Sequence, residues 1–162
     1  MVARLAEAIR VARSKKRGPM LDERDMTIVS ILMRNARATL REIAGALGMT
    51  DVAVRKRLQR LERDKIILGY TAVVDPRALG YSVISLTGVD TEPGDLLRVA
   101  RELATREYVK SAWITAGDHE IMLEIWAKDE AEMDEIIREI SEMEGVKRVC
   151  PAVVTERLKS RC

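Results

Sequence analysis

The chain has 162 residues, of which 47% are hydrophobic and 33% are charged. That length and balance suit one or two small globular domains with strongly ionic surfaces. No apolar run approaches the roughly 20 residues that a membrane-spanning helix needs, and residues 1–18 are too charged for the core of a signal peptide. These features exclude a bundle of transmembrane helices and predict a soluble, cytoplasmic protein with no membrane partner.

The net charge of +2 hides an asymmetry between the two halves of the chain. Residues 1–75 carry 16 Lys and Arg against 9 Asp and Glu, a balance of +7, whereas residues 76–162 carry 12 against 17, a balance of −5. Such an imbalance predicts two domains with different tasks. The basic half would attract polyanions, and the acidic half would repel them.

Glycine and proline residues divide the chain into three predicted segments. Gly18 and Pro19 end a basic N-terminal extension, which is either a poorly ordered tail or an extra helix. A second break is expected at about Pro76, which follows an aspartate and precedes a glycine by a few residues. The predicted segments are therefore 1–19, 20–75 and 76–162.

Three short helices are predicted in series at the start of the second segment. The first begins near Leu21, and its helical spacing of apolar residues runs to about Asn35. Thr39, with Glu42 three residues later, has the spacing of a capping box and predicts the start of the second helix. Gly48 is predicted to end that helix.

The third predicted helix follows an N-cap at Thr50 and joins the second through a turn of about three residues. Val54, Leu58 and Leu61 recur at helical spacing, so they are expected to face inward. The turn contains Gly48, which can take the positive φ that a tight connection requires. Two helices joined in this way predict a helix-turn-helix.

The outward face of the third helix is basic, and we expect it to lie in the major groove of DNA. A helix of about 14 residues is roughly 21 Å long, and the major groove admits one. Arg reads guanine and Gln can read adenine, while further cations hold phosphates. A lone basic helix is more often a solvated face, but the preceding turn favours groove binding. The predicted DNA-binding residues are Thr39, Thr50, Asp51, Val52, Arg55, Lys56, Gln59, Arg60 and Arg63.

Residues 66–76, with the sequence IILGYTAVVDP, are predicted to form a strand or wing after the third helix. The segment alternates in polarity and is rich in β-branched residues. With the three helices it would complete a winged helix-turn-helix domain.

The last segment alternates strand and helix patterns. Strands are predicted at 82–89, 108–115, 120–127 and 146–154. Two amphipathic helices are predicted between them, and Pro151 predicts that the last strand is an edge strand or contains a bulge. The order β-α-β-β-α-β is typical of a ferredoxin-like sandwich with two helices on one face of an antiparallel sheet, so the predicted class is α+β. The predicted apolar stripes of the helices are Leu96, Leu97, Ala100, Leu103 and Ala104, and Met133, Ile136, Ile137, Ile140 and Met143.

Residues 21–80 resemble the DNA-binding domain of the Lrp/AsnC family, the feast/famine regulators, in an archaeal-like form. The segments LREIA, RLQRLE and IILGYTAVVDP carry the resemblance, which extends over about residues 20–155. It implies a winged helix-turn-helix joined to a small αβ sandwich that dimerises and binds small effectors, mostly amino acids. It also implies that dimers assemble into tetramers and octamers.

A second resemblance lies in the segment TAGDHEI, residues 115–121, between the second and third strands of the sandwich. In the family, a loop with Thr-Gly, a variable residue, an aromatic and Asp helps to form the effector pocket between subunits. Gly117 matches and Asp118 is the variable position, whereas Ala116, His119 and Glu120 replace the Thr, the aromatic and the Asp. The resemblance implies that these five residues bind the effector, and the replacements leave its identity open.

The residues of this loop also allow two interpretations without the resemblance. Asp and Gly favour an ordinary hairpin turn. Alternatively, Gly117 lets the backbone approach a ligand, and N–H groups in the turn can donate to a carboxylate. Asp118 or Glu120 would then pair with an ammonium group.

No cofactor and no metal are expected. His119 is the only histidine and is expected at the surface, and no serine or cysteine motif accompanies it to form a nucleophilic triad. There is no glycine-rich phosphate loop. Cys150 and Cys162 are far from other potential ligands, so they make no zinc site.

The leading prediction is a sequence-specific transcription regulator that is not an enzyme. Its expected partners are double-stranded DNA, an amino acid bound between subunits, and further copies of the chain in a dimer, a tetramer or an octamer. The sandwich sheet would form the dimer, with residues 66–75 contributing. The N-terminal extension, if helical, would add to dimerisation or to contacts with the DNA backbone.

Two alternatives share the same sequence features. One is an enzyme similar to the sirohaem decarboxylases, which use the same two-domain plan but would need basic and histidine residues lining the sandwich. The other is an architectural DNA-compacting protein, which needs the same basic helix.

Overall fold

The computed structural model describes residues 20–159, so the extension predicted at 1–19 lies outside the described residues. The described chain divides into two compact units, residues 20–73 together with 158–159, and residues 74–157. The first contains three helices, and the second contains a four-stranded sheet and two helices. None of the helices between residues 20 and 159 has the length and apolarity that crossing a lipid bilayer requires.

Helices α1 (Glu23–Arg34), α2 (Leu40–Leu47) and α3 (Asp51–Arg63) form the first unit. Each begins on a polar side chain that accepts an otherwise unpaired backbone N–H of the first turn, which the sequence predicts for the second and third helices. The accepting residues are Asp22, Thr39 and Thr50, and the donors are Asp25, Glu42 and Ala53.

The predicted turn between α2 and α3 is confirmed. Gly48 has a φ of 60°, in the left-handed region that costs other residues roughly 1–2 kcal/mol. The Met49 N–H donates to the Ala44 carbonyl at 3.0 Å and closes the end of α2. Ile43 and Val54 are fully buried on either side of the turn.

The three helices share one small apolar core. Ile28 from α1, Ile43 from α2, and Val54 and Leu61 from α3 are at most 1% exposed. Leu58, which the sequence also placed inward, packs against this core but stays partly exposed. The cluster fixes which face of α3 turns away from solvent.

No strand forms over residues 66–75 within the described residues, where the sequence predicts a strand or wing. The segment is extended but makes no strand pairing within the described residues, because a strand forms only where a neighbour takes up its N–H and C=O groups. Ile66 and Ile67 pack on the helical core, and the Tyr70 hydroxyl donates to Glu62 at 2.8 Å. Leu68 is left 86% exposed.

The second unit is the predicted ferredoxin-like sandwich. Its strands lie in the order β2-β3-β1-β4, and every neighbouring pair is antiparallel. The predicted edge position of the last strand is confirmed, since β4 ends the strand order and pairs on one side with β1. The elements are β1 (Val83–Thr91), α4 (Leu96–Leu103), β2 (Val109–Ile114), β3 (Ile121–Ala127), α5 (Glu130–Glu142) and β4 (Val146–Val153).

Helices α4 and α5 cover one face of the sheet. Alternate residues of β3 show this clearly, because Ile121, Leu123 and Ile125 are fully buried against the helices while Met122 and Glu124 on the other face are half-buried. The face that carries Met122 and Glu124 is called the open face below.

The stripe predicted for α4 needs a correction. Leu97 is 58% exposed, and Ala104 lies beyond the end of the helix and is exposed too. The short helix buries Val99, Ala100 and Leu103 instead, because that set lies on a single side of a two-turn helix and Leu97 does not.

Asp25 is the only fully buried charged side chain among residues 20–159. Arg57 of α3 donates to its Oδ1 at 2.7 Å and to Asp22 Oδ2 at 2.6 Å, and Arg60 donates to the other oxygen of Asp25. Burial raises the pKa of Asp25, but hydrogen bonds from Arg57, the Asp22 backbone and Arg60 outweigh it and leave the pKa below its usual value. The ionised carboxylate therefore joins α1 to α3.

We expect acid to destabilise the three-helix unit through Asp25. Because its pKa is lower in the folded chain than in the unfolded chain, its stabilising effect is complete above the usual pKa of 3.8. The effect is lost as the pH falls through the lower folded value. Amide hydrogen exchange of the three helices in the intact chain measures this dependence.

Asp25→Asn should cost this unit about 2–3 kcal/mol at neutral pH and flatten its pH dependence below about pH 4. The cost is less than the ~3–5 kcal/mol of a fully buried pair, because the two arginines remain partly in water. Asp51→Asn, at an exposed position of α3, is the matched control. A variant at Asp25 with wild-type stability and acid response would contradict the expectation.

Candidate nucleic-acid interface and ligand loop

Helix α3 presents polar and basic side chains on the side opposite its buried residues. Its 13 residues make it about 20 Å long. Arg55, Lys56 and Gln59 are exposed, and the Arg63 side chain is 73% exposed. These side chains lie on one surface because the core fixes Val54 and Leu61 on the other side.

The N-terminal turn of α3 adds uncharged and acidic groups to this surface. Asp51 and Val52 are exposed, the latter at 63%. Thr50 accepts the Ala53 N–H at 3.3 Å and still carries a hydroxyl proton that it can donate. Thr39, by contrast, starts α2, and its hydroxyl donates to Glu42 at 2.9 Å.

Arg60 is placed differently from the other predicted DNA-binding residues. Its guanidinium lies against the buried carboxylate of Asp25, and its side chain is 40% exposed. Arg57, which was not among the predicted residues, has the same partner and is 24% exposed. The unpaired cations of the outward surface are therefore fewer than the sequence of α3 suggests, since two of its arginines turn toward α1.

The predicted effector loop is the hairpin that joins β2 to β3. The Thr115 N–H donates to the Glu120 carbonyl at 2.8 Å, and the Thr115 hydroxyl donates to the His119 carbonyl. Ala116 is half-buried, and Gly117 and Asp118 are exposed at the tip. The loop thus presents backbone and one free carboxylate to its surroundings.

Glycine at 117 is not required by the folded chain itself. Its φ is not positive, and a Cβ built there meets no atom of the described chain within 4 Å. Gly88 on β1 is the opposite case, because a Cβ there would overlap the His119 ring. One glycine therefore serves the packing of the loop, and the other leaves its tip open to an approaching molecule.

His119 is held on the sheet and is not the loose surface residue that the sequence suggested. Its side chain is 22% exposed, and its Nδ1 lies 3.3 Å from Asp90 Oδ1. Arg148 Nε donates to the other oxygen of Asp90 at 2.8 Å. Burial raises the pKa of Asp90, but the bonds with Arg148 and His119 outweigh it and lower the pKa overall.

The carboxylate of Glu120 is also engaged within the sandwich. One of its oxygens accepts both the Thr91 N–H at 3.0 Å and the Thr91 hydroxyl at 2.8 Å. Of the two carboxylates predicted to pair with an ammonium group, Asp118 is thus the exposed one.

Sequence reasoning missed four residues that hold this loop, namely Gly88, Asp90, Thr91 and Arg148. The β1–β3 register, which pairs Val89 with Ile121, brings the end of β1 to the loop, and the β1–β4 register pairs Asp90 with Arg148. The alternation of β1 could have shown that Gly88 and Asp90 share a face, but nothing local to them indicates the loop as their neighbour.

Both units match known protein families. Residues 21–62 match the family model of the AsnC-type helix-turn-helix domain, and residues 85–162 match that of the Lrp/AsnC ligand binding domain. The HTH-type transcriptional regulator LrpA of Pyrococcus abyssi is 48% identical over 141 residues, which cover 86% of this chain and 100% of that relative.

Solved structures share the fold at lower identity. Escherichia coli AsnC gives a TM-score of 0.79 at 22% identity, with 89% of this chain and 98% of that chain covered. A Neisseria meningitidis transcriptional regulator in complex with L-Met gives 0.79 at 20% identity, with 87% and 94% covered. The chain therefore belongs to the Lrp/AsnC family of HTH-type transcriptional regulators, and it carries the ligand-binding domain of that family.

Proposed function

We propose that this regulator binds double-stranded DNA in a sequence-specific manner and that α3 is its recognition helix. The observation that carries the proposal is the exposed polar face of α3, which follows a closed turn at Gly48 and is fixed by the apolar core behind it. Side chains near the N-terminus of such a helix reach base edges in the major groove. The proposed contacts come from Thr50, Asp51, Val52, Arg55, Lys56, Gln59 and Arg63, with Thr39 near the DNA backbone.

The chemistry of these side chains divides the contacts into two kinds. Arg55 and Gln59 can each make two hydrogen bonds to one base, Arg to guanine and Gln to adenine. Lys56 and Arg63 carry charges that suit phosphate oxygens, which position the helix without reading sequence. Base contacts would give specificity, and phosphate contacts would give affinity that falls with salt. Since such a regulator must reach chromosomal DNA, we propose that it acts in the cytoplasm.

Replacing both Arg55 and Lys56 by Ala should weaken DNA binding by tenfold or more and leave the oligomeric state unchanged. The slope of log Kobs against log salt is negative, and each lost phosphate contact makes it shallower by about 0.9. Fluorescence anisotropy with labelled DNA, at several salt concentrations, measures the affinity and the salt slope.

The matched control replaces Arg101 and Arg138, two exposed arginines of the sandwich helices, by Ala. It removes the same charge from the chain but should leave DNA affinity unchanged. If the two double variants weaken DNA binding equally, the proposal that α3 is the recognition helix is wrong. A selected site bound less than about 10³-fold more tightly than random DNA at matched salt would favour a compacting protein instead.

We propose that the chain acts as a homodimer, and that dimers assemble further. The open face of the sandwich carries Leu86 and Trp113, each 44% exposed, beside the half-buried Met122 and Trp126. An antiparallel sheet with one covered face and one apolar uncovered face is suited to pairing with a second copy. Two recognition helices would then enter successive major grooves, about one helical turn of DNA apart.

The first unit supports the same arrangement. The extended segment after α3 and the end of α1 enclose an apolar groove of about 570 Å³, lined by residues such as Leu32, Met33, Leu68 and Val73. The backbone of this segment makes no strand pairing within residues 20–159. We propose that the same segment of a second copy covers it, so that the strand predicted from the sequence forms only in the dimer.

Leu86→Lys should dissociate the dimer, because it places a charge at the centre of the open face. Leu97→Lys, on the helix-covered side and similarly exposed, should leave the dimer intact. Analytical ultracentrifugation over a range of concentrations distinguishes the two outcomes. Loss of assembly in both variants, or in neither, would count against the open face as the interface.

We propose that an amino acid binds at the loop of residues 115–120, between subunits. Backbone N–H groups at the tip would receive its carboxylate, and Asp118 would pair with its ammonium group. The match to a ligand binding domain over residues 85–162 supports a small-molecule site. The structure with L-Met concerns a distant regulator of the same fold and makes L-Met one of the ligands to test.

The effector would act by favouring one assembly over another. A ligand that binds one arrangement of subunits more tightly shifts the equilibrium toward it by no more than its difference in affinity. The spacing of the recognition helices, and hence DNA affinity, would change with the arrangement. An enzyme of this two-domain plan has little support, since His119, the only histidine, is already engaged with Gly88 and Asp90.

Gly117→Val should abolish the response to amino acids without destabilising the chain, since nothing lies within 4 Å of its added Cβ. A thermal-shift screen of the twenty amino acids identifies the ligand, because a compound that binds the folded state raises its stability. The variant should keep the melting temperature of the wild type but lose the ligand-induced shift. A full shift in the variant would show that the effector binds elsewhere.

A further inference from the structure

The cations of α3 fall into two groups that differ in their partners. Arg55, Lys56 and Arg63 point to solvent, whereas Arg57 and Arg60 turn toward the start of α1. The Arg63 side chain is 73% exposed, and its partner among the described residues is its half-buried neighbour Asp64, so water screens that pair on the side of Arg63.

The acids that hold Arg57 and Arg60 are themselves fixed in place. Asp22 accepts the Asp25 N–H at 2.8 Å, and Asp25 accepts the Asp22 N–H at 3.1 Å, so the two carboxylates form the capping box of α1. Neither carboxylate can follow a departing arginine without breaking this cap. Both have a pKa below the usual value, so both are ionised at neutral pH.

A DNA phosphate would have to compete with these carboxylates for the two arginines. Arg57 is bonded to both acids, and Arg60 to Asp25, which is 0% exposed. Removing an arginine would leave a buried carboxylate with less compensation, which costs more than losing a solvent-exposed pair. The two aspartates would also repel an approaching phosphate.

We propose that Asp22 and Asp25 withhold Arg57 and Arg60 from DNA, so that α3 binds phosphates through its outward cations alone. The inference rests on the proposed role of α3 in DNA binding and adds a limit to it. Salt-dependent, nonspecific affinity grows with the number of phosphates neutralised. Keeping two of five cations out of that number would raise the ratio of specific to nonspecific binding, and Asp25 would be the positioning residue responsible.

The test compares single variants of two arginines on the same helix. Arg63→Gln should make the negative slope of log Kobs against log salt shallower by about 0.9 for each helix bound. Arg60→Gln should leave the slope unchanged, because a withheld arginine neutralises no phosphate. Both variants lose one charge from α3, and the carboxylate that holds this charge is the buried Asp25 for Arg60 and Asp64 for Arg63.

The same comparison is then repeated in the Asp25→Asn background. There the slope before further substitution should be steeper than in the wild type, because Arg60 is free to reach a phosphate. Adding Arg60→Gln to Asp25→Asn should now make the salt slope shallower by about 0.9 for each helix. Circular dichroism at the assay temperature confirms that each variant is folded. If Asp25→Asn does not fold, the comparison of Arg60→Gln with Arg63→Gln in the wild-type background decides the inference by itself.

The outcomes separate this inference from the proposal on which it rests. If Arg60→Gln lowers the slope as much as Arg63→Gln in the wild-type background, Arg60 contacts phosphate and the inference is overturned. If neither variant changes the slope and the Arg55 and Lys56 double variant also binds normally, the DNA-binding role of α3 fails and the inference falls with it. If Arg60→Gln leaves the slope unchanged while Arg63→Gln makes it shallower, the result supports the inference.

Discussion

The ion cluster at Asp25 is the interaction on which the DNA-binding unit depends. A carboxylate with no exposure to water is tolerated only when charged donors surround it, and here α3 supplies them through Arg57 and Arg60. The same contact that ties α3 to α1 therefore sets how α3 is rolled about its axis. Because the apolar core of this unit is small, the polar contact at Asp25 adds to what fixes the orientation of α3.

In the sandwich, side chains of β1 fix the base of the loop of residues 115–120, while the tip of the loop stays accessible. Thr91, Gly88 and Asp90 on β1 immobilise the end of the hairpin through Glu120 and His119. The tip itself, at Gly117 and Asp118, remains exposed. A rigid base with an accessible backbone lowers the ordering cost of binding a small ligand. The side chains that make the base rigid are thus as important to the proposed site as those at its tip.

Much of the fold could be predicted from the sequence, because the deciding interactions are local. The caps at Thr39 and Thr50 and the turn at Gly48 each involve residues no more than five positions apart. The predicted strand at 82–89 is observed at Val83–Thr91, and the one at 146–154 at Val146–Val153. Alternation in a sheet with one covered face is a strong signal, since a shift of one residue would expose the core.

The candidate sites were only partly predictable. The sequence showed that α3 is basic, but the partners of Arg57 and Arg60 lie 32 and 35 positions away, and only packing of α1 against α3 brings them together. Residues 66–75 carry a strand pattern, yet a strand needs a neighbouring chain segment that residues 20–159 do not provide. The sequence by itself determined the caps at Thr39 and Thr50, the turn at Gly48 and the apolar faces of α2 and α3. Only the tertiary structure decided which charges remain free, because a long side chain takes the nearest fixed counter-charge in space regardless of its distance along the chain.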